Sequence, residues 1–244
     1  MLRFLESMQF VLFVFFTAAY AYQIVYLFVG LIGKGRGGRE NAKLHRYAAV
    51  VAARNESAVI ANLIRTLKEQ NYPSELLDIY VIADNCTDNT AQISRQAGAY
   101  VYERFNKVQV GKGYALEYLF HHIFEDKGET AYDGFFVFDA DNIVDRDFVR
   151  EMNKMFDTGE YTALTSYRNS QNFCANWISA GYALWFLRES RFLNRPRTQL
   201  GVNCAVSGTG FLVSAQAVRE DAGWPYHLLT EDIEFSIACA TRGR

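Results

Sequence analysis

Three short apolar runs, each followed at once by polar residues, constrain the fold of this 244-residue chain more than any other feature. They span residues 47–53, 79–83 and 135–138. Runs of this length and apolarity are typical of strands buried on both faces of a sheet. Helical periodicity separates them, and a further short strand is expected at 99–102. This alternation predicts an α/β fold with a mainly parallel sheet and helices on both faces.

The polar residues that follow these runs predict a ligand site. They are residues 54–56 after the first run, 84–85 after the second and 139–141 after the third. In open parallel sheets, ligands bind beyond the carboxyl ends of the strands. We therefore expect these three clusters to meet at one edge of the sheet.

Asp139 and Asp141 have the strongest chemical signal of the three clusters. Two carboxylates at the mouth of a buried strand are able to bind a hard divalent cation together with a diphosphate. The chain has a second Asp-x-Asp triplet, Asp145 and Asp147, which we interpret as a solvated helix start. The position at a strand end, and not the triplet itself, favours the first pair.

Single residues at this edge have more than one interpretation. Asp84 has the chemistry to accept the ring N–H of a nucleobase, and Glu56 to approach the same base, but each also fits a turn or a helix cap. Lys112, between two glycines at a helix start, suits phosphate oxygens and equally suits an ordinary loop. Glu231 and Asp232 follow two leucines in a strand-like run. Either they form the acidic first turn of a helix capped by Thr230, or one of them deprotonates an acceptor hydroxyl.

Residues 7–33 contain no charged side chain. This uncharged segment is long enough for a transmembrane helix, which needs roughly 20 residues to cross the hydrocarbon core. A secretory signal peptide is the alternative, because Ala19 and Ala21 form a small-x-small site. Apolar character continues past that site to Ile32, which favours an anchor. We expect an anchor at 1–33, a basic glycine-rich linker at 34–46 and a catalytic domain at 47–244.

The distribution of basic residues predicts the orientation of the anchor. Arg3 stands alone before it, whereas four basic residues follow it within ten positions: Lys34, Arg36, Arg39 and Lys43. The side richer in Lys and Arg tends to stay cytoplasmic, so the domain is expected in the cytoplasm. A net charge of −2 gives no support for nucleic-acid binding. The aromatic stretch 177–186 is interpreted as core, with a membrane interface as the alternative.

Taken together in chain order, six short motifs resemble the family 2 glycosyltransferases, especially the membrane branch that contains cellulose, chitin and hyaluronan synthases. The motifs cover residues 47–242 and lie at 52–56, 84–90, 111–113, 139–141, 207–210 and 230–232. The resemblance implies a GT-A fold and an inverting transfer of a sugar from a UDP-sugar to a saccharide or lipid-linked acceptor. The chain lacks the Gln-x-x-Arg-Trp motif of that branch, so a C-terminally truncated domain is expected.

The resemblance also implies roles for individual residues. Glu56, Asp84, Lys112 and Asp139 would hold the donor, and Asp139 with Asp141 would bind Mg²⁺ or Mn²⁺. Asp232 would be the general base, and the acceptor would lie against Ser207, Gly208, Thr209 and Glu231. Two alternatives stay open from the sequence: a subunit that binds nucleotide-sugar without turnover, and a nucleotidyltransferase. The second should carry a Gly-rich, Arg-containing loop where this chain has residues 54–56.

Overall fold

A computed structural model describes residues 2–35 and 37–243. Arg36 of the basic cluster lies outside this range, as do Met1 and Arg244, the outer limits of the predicted anchor and catalytic domain. Contacts divide the described chain into two units. The helical unit contains residues 2–35 and 167–204, and the sheet unit contains residues 37–166 and 205–243.

Within the described residues there are ten α-helices and six strands. In chain order they are α1 (Leu2–Tyr20), α2 (Tyr22–Ile32), β1 (Tyr47–Ala53), α3 (Ile60–Lys68), β2 (Leu77–Asp84), α4 (Thr90–Gln96), β3 (Tyr100–Arg104), α5 (Lys112–Lys127), β4 (Gly134–Asp139), α6 (Phe148–Phe156), β5 (Ala163–Thr165), α7 (Trp177–Glu189), α8 (Arg195–Gln199), β6 (Phe211–Ser214), α9 (Ala215–Glu220) and α10 (Glu231–Thr241). A 3₁₀ turn, Ser74–Leu76, precedes β2, and a π-helical turn, Ser190–Asn194, joins α7 to α8.

The strands form one sheet in the order β3-β2-β1-β4-β6-β5. β1 lies parallel to both β2 and β4, and β2 lies parallel to β3, as the alternating pattern predicts. β6 and β5 close the sheet with antiparallel pairings that the sequence did not indicate. β5 has three residues and β6 has four, and their apolar residues are too few to give a period.

Two apolar layers cover the faces of the sheet. On one face, Val50 of β1 and Phe135 of β4 pack with Leu116 of α5 and with Trp224. On the other face, Val51 and Phe136 pack with Leu63 of α3. Successive residues of a strand point to opposite faces, which explains why the central strands need apolar residues at every position. The predicted helices on both faces are confirmed.

The start of the sheet unit packs against α6. The backbone N–H of Arg39 donates to the carbonyl of Lys154, and His45 Nε2 lies 3.0 Å from Asp157 Oδ1. The hydrogen bond with His45 lowers the pKa of the Asp157 carboxyl. Much of the predicted 34–46 linker is therefore held on the sheet unit, although the division into anchor, linker and domain stays a prediction.

In the helical unit, α1 and α2 are separated only by Ala21, and together they give one helical stretch, Arg3–Ile32, that is long and apolar enough to cross a membrane. By length and composition alone this is weak support for a span, because a signal sequence would pass the same test. In the same unit, the interpretation of the aromatic stretch as core was wrong. Trp177 is 83% exposed and Trp185 is 60% exposed. Ala183 is the one residue of α7 that is buried.

Candidate active site

A cleft of about 130 Å³ opens at the carboxyl edge of the sheet, where β1 and β2 end. Its lining comes from the end of β1, the end of β2 and the first turns of α5: Ala52, Ala53, Arg54, Asp84, Gly111, Lys112 and Ala115. The order β3-β2-β1-β4 places β1 at the point where the connections change direction, and ligands of open α/β sheets bind at such a point. The predicted meeting of polar clusters at this edge is confirmed for residues 54 and 84.

Asp84 is 5% exposed and forms an ion pair with Arg104. Arg104 Nη1 donates to Asp84 Oδ1 at 2.7 Å, and Asn85 Nδ2 donates to Asp84 Oδ2 at 3.1 Å. Because both carboxylate oxygens have a donor, Asp84 is oriented at the cleft wall before any ligand arrives. Helix capping does not explain this carboxylate, since α4 begins six residues later at Thr90.

Hydrogen bonds join the two loops at the mouth of the cleft. Thr87 N–H donates to Asn55 Oδ1 at 2.8 Å, and Glu56 N–H donates to Thr90 Oγ1 at 2.8 Å. Asp88 accepts from the Thr90 hydroxyl at 2.5 Å and from Ser57 N–H at 3.2 Å. The Thr90 hydroxyl is the main reason that the pKa of Asp88 lies well below its usual range. The Glu56 side chain thus starts from a loop whose backbone is fixed.

Lys112 connects the end of β4 with the segment that carries Asp232. Its Nζ donates to Asp139 Oδ1 at 2.6 Å and to the carbonyl of Gly208, and it lies 3.3 Å from Glu231 Oε1. An ammonium group has three donors, and here each faces an oxygen. Contact of Lys112 with a phosphate therefore requires that it leave one of these partners.

The loop at 207–210 is attached to the end of β4. Asp139 N–H donates to Thr209 Oγ1 at 2.8 Å, and the Thr209 hydroxyl donates to Asn142 Oδ1. Thr209 is 8% exposed, and its hydroxyl both accepts and donates a hydrogen bond inside the protein. Contacts of Ser207, Gly208 and Thr209 with an acceptor stay predictions.

Asp139 and Asp141 fit a divalent cation that takes its other ligands from outside the protein. Asp139 is 43% exposed at the side chain, and Asp141 is exposed, with Oδ1 accepting from Asn142 Nδ2 at 3.2 Å. Among residues 2–35 and 37–243, no group of three or more His, Cys, Asp or Glu side chains is arranged to hold a metal. Two carboxylates plus diphosphate oxygens and water are a donor set that Mg²⁺ accepts.

Asp232 stands at the start of α10 and is held by backbone. Gly208 N–H donates to Asp232 Oδ2 at 2.6 Å, and the Ser236 hydroxyl donates to the Asp232 carbonyl at 2.7 Å. Glu231 is 7% exposed and faces Lys112. The expected strand-like run before these acids is wrong: Leu228 and Leu229 form a turn and are 63% and 99% exposed.

Sequence reasoning missed Arg104 and Asn142, and it placed Asn55 in the cluster at 54–56 without a role of its own. Arg104 is the direct register partner of Asp84 across β2 and β3, so a predicted register would have identified it. Asn142 follows the Asp-x-Asp triplet by one residue, which is a weak signal. Asn55 has a φ of 57°, a left-handed conformation that asparagine tolerates better than most residues.

A largely parallel sheet with a cleft beside β1 and acidic residues at its strand ends is the arrangement of an α/β fold of the GT-A type. Residues 45–244 match the family described as "Glycosyltransferase like family 2". The chain belongs to this family. That membership favours sugar transfer over the nucleotidyltransferase alternative.

Curated relatives include glycolipid and polysaccharide synthases. "Beta-monoglucosyldiacylglycerol synthase" of Synechocystis is 28% identical over 193 residues, covering 77% of this chain and 39% of that relative. "Poly-beta-1,6-N-acetyl-D-glucosamine synthase" of Staphylococcus epidermidis is 22% identical over 201 residues, covering 81% of this chain and 46% of that relative. The chain thus spans less than half the length of these relatives.

Solved structures confirm the fold. The mannosyltransferase PcManGT of Pyrobaculum calidifontis, in complex with GDP-Man and Mn²⁺, superposes with a TM-score of 0.65 at 16% identity, covering 92% of this chain and 61% of that one. S. aureus TarS 1-349 with UDP-GlcNAc gives 0.56 at 15% identity, covering 78% and 52%. The GT-A fold expected from the sequence is therefore confirmed.

Proposed function

We propose that this chain is the donor-binding and catalytic part of a membrane-associated, inverting glycosyltransferase that uses a UDP-sugar. The cleft between β1, β2 and α5 would take the uridine, with Asp84 and Glu56 near the base. Asp139 would lie beside the diphosphate. Family membership supports sugar transfer, and the choice of uridine rests on the resemblance and on the fixed carboxylate at the cleft wall.

The proposed reaction is a single displacement with Asp232 as general base. The Asp232 carboxylate takes the proton of an acceptor hydroxyl while that oxygen forms a bond to the anomeric carbon. The bond from that carbon to the diphosphate oxygen breaks, and UDP leaves with the electron pair. Attack from the opposite face inverts the configuration, so an α-linked donor gives a β-linkage.

Asp139 and Asp141 would hold Mg²⁺ or Mn²⁺. When bound, such a cation supplies positive charge that stabilises the departing diphosphate. The ammonium group of Lys112 pairs with one oxygen of Asp139. Lys112 therefore reduces the negative charge on the side of the site where the donor would bind.

The observation that carries the proposal is the set of contacts that connects Asp139, beside the proposed donor site, to the segment of Asp232, the proposed base. Lys112 contacts Asp139 on the donor side and Glu231 on the side of the base, and the carbonyl of Gly208 as well. The N–H of the same Gly208 holds Asp232. A solvated helix cap needs none of these long-range contacts, whereas a reaction between two bound substrates requires the donor site and the base at a fixed separation.

The acceptor is proposed to be a saccharide or a lipid-linked molecule. The names of the relatives support both classes, since one refers to a glucosyldiacylglycerol and another to a polymer of N-acetylglucosamine. We also propose that residues 1–33 anchor the protein and that residues 47–244 face the cytoplasm, because the basic residues follow the apolar segment.

The function is tested by incubating membranes that contain the protein with a panel of UDP-sugars and measuring UDP release and labelled product. One UDP-sugar should give product above vector-only membranes and above membranes with the Asp232→Asn protein. If a GDP-sugar but no UDP-sugar supports transfer, the uridine assignment is wrong. If Asp232→Asn membranes form the same product at the same rate, the assigned base is wrong.

A further inference from the structure

The segment just before the proposed base lies directly against the first turn of α5. A Cβ placed on Gly113 would come within 1.9 Å of the Tyr226 carbonyl oxygen. Only a residue without a side chain allows two backbones to approach this closely. The path of residues 226–231 is thus set at its start by the helix that carries Lys112.

His227 is fixed on this helix by one ring face and one ring nitrogen. Its imidazole stacks on Tyr114, with centroids 4.1 Å apart and ring planes 7° apart. Its Nε2 lies 2.9 Å from Glu117 Oε2. The two side chains of this pair are 30% and 45% exposed, and an exposed pair contributes only about 0–1 kcal/mol to stability. Fold stability is therefore a poor explanation for the His227–Glu117 pair.

Two further contacts hold the same segment, one at Leu228 and one at Glu231. Leu228 N–H donates to Glu234 Oε2 at 3.1 Å, and Glu231 lies 3.3 Å from Lys112. Three residues in the first two turns of α5 therefore contact residues 227–231: Lys112, Tyr114 and Glu117. Asp232 follows this segment directly.

We infer that His227 is a positioning residue, which, through its stack on Tyr114 and its pair with Glu117, sets the place of Asp232 relative to the donor. This inference rests on the proposed function. His227 does not touch the reacting atoms, and it acts through the backbone of the turn at 228–230. A shift of about 1 Å in a reacting group can reduce a rate by about 10²-fold.

The inference predicts a loss in turnover without a loss of donor binding. Glu117→Gln and Tyr114→Leu should each lower kcat by about tenfold, the factor that corresponds to 1.4 kcal/mol in the barrier. The KM for the UDP-sugar and the Kd for UDP should stay within about twofold, since loss of transition-state positioning lowers kcat alone. Tyr114→Phe keeps the stacked ring and should restore kcat.

The chain offers a matched control on the same helix. His121 lies 3.5 Å from Glu125 in an exposed pair of the same residue types, one turn apart. Glu125→Gln should leave kcat unchanged. If Glu117→Gln and Glu125→Gln behave alike, His227 has no positioning role.

A double-mutant cycle shows whether the effect passes through Asp232. In the Asp232→Asn background, whose residual transfer is measured with radiolabelled donor, Glu117→Gln should cost nothing more. Residues that act as one unit are strongly non-additive, so an additive tenfold loss would overturn the inference. If Asp232→Asn alone transfers at the wild-type rate, Asp232 is not the general base, and the inference about His227 fails with the proposed function. An additive loss in the double variant would instead overturn only the role of His227.

Hydrogen exchange gives a readout that does not depend on turnover. In the UDP-bound protein, Glu117→Gln should speed amide exchange in residues 228–234 by several-fold and leave β4 unchanged. Unchanged exchange in residues 228–234 would show that the contact with Glu117 does not hold this segment, which would contradict the inference.

Discussion

Gly208 donates its backbone N–H to Asp232 Oδ2 at an N–O distance of 2.6 Å. The carbonyl of Gly208 accepts from Lys112, whose Nζ also lies 2.6 Å from Asp139 Oδ1. One glycine and one lysine thus connect the proposed base, Asp232, to Asp139, the carboxylate that we propose to lie beside the donor. The separation of these two carboxylates is set by backbone and by a short ion pair, and both are preorganised before substrates bind.

Gly208→Ala should reduce transfer without reducing UDP affinity. Gly208 has a φ of 40°, a left-handed conformation that costs a residue with a Cβ about 1–2 kcal/mol. The added Cβ would lie 3.7 Å from Asp232 Oδ2, an ordinary contact, so the effect comes from backbone relaxation that moves the N–H. We expect about a tenfold fall in kcat, the equivalent of 1.4 kcal/mol.

Gly159→Ala is the matched control for this variant. Gly159 has a φ of 73° and open space around a Cβ, in the loop that follows α6. Alanine at position 159 should suffer backbone strain comparable to that of alanine at position 208. An added Cβ at position 159 would meet no atom within 4 Å and so would touch none of the proposed site residues. Equal loss of transfer in both variants would mean that strain alone, and not the bond to Asp232, explains the result.

Asp141→Ala should weaken UDP binding only when a divalent cation is present. Removing one of two carboxylates lowers the charge that faces Mg²⁺ or Mn²⁺, and we expect the Kd to rise by at least about tenfold. Isothermal calorimetry with cation and with EDTA measures both states. Asp145→Ala removes an exposed aspartate from the second Asp-x-Asp triplet and should bind like wild type. Equal affinity of all three proteins, with or without cation, would exclude Asp139 and Asp141 from a metal site.

Arg104→Leu should destabilise the sheet unit and weaken UDP binding. The substitution leaves the Asp84 carboxylate buried without its cationic partner, which typically costs about 3–5 kcal/mol. Arg95→Leu is the control, because Arg95 and Glu103 form a pair that is 50% and 39% exposed. Loss of such a pair costs at most about 1 kcal/mol. Urea unfolding of the detergent-solubilised proteins distinguishes the two, and a similar small loss for both would contradict the buried role of Arg104.

The orientation of the anchor is tested by protease digestion of sealed vesicles. We expect residues 47–244 to be digested in vesicles that expose the cytoplasmic side and protected in vesicles of the opposite orientation. A mature chain that begins near residue 22 would instead establish a cleaved signal peptide. Protection of the domain on the non-cytoplasmic side would contradict the positive-inside argument.

The sequence predicted the central part of the sheet because its strands are buried on both faces. Tyr47–Ala53 is apolar throughout, and its predicted limits match β1. Strands β5 and β6 were missed because three or four residues give no period, and their identity depends on pairing with β4. The aromatic residues of α7 were assigned to the core because composition carries no information about which neighbours cover them.

The sequence predicted those residues of the candidate site that are acidic and directly follow a buried strand. Asp84 and Asp139 fall at the ends of β2 and β4, at the same edge of the sheet. Asp84 lines the cleft, and Asp139 contacts Lys112, which also lines it. The contacts of Lys112 were not predictable, because its partners at 139, 208 and 231 are far apart in sequence. The same holds for Tyr114 and His227, whose ring stack depends on how the 226–231 segment passes over α5.

The assignment of Asp232 as general base is tested most directly by Asp232→Asn, assayed for both sugar transfer and UDP affinity in membranes that contain the protein. Asparagine keeps the size of the side chain and an oxygen for Gly208 N–H but cannot accept the acceptor's proton. A general base contributes about 10²- to 10⁴-fold, so transfer should fall by that factor while UDP affinity stays nearly unchanged. Glu231→Gln should be milder, because Glu231 faces Lys112 and is not the proposed base. Transfer by Asp232→Asn at nearly the wild-type rate would contradict the account and leave residues 230–232 as a helix cap.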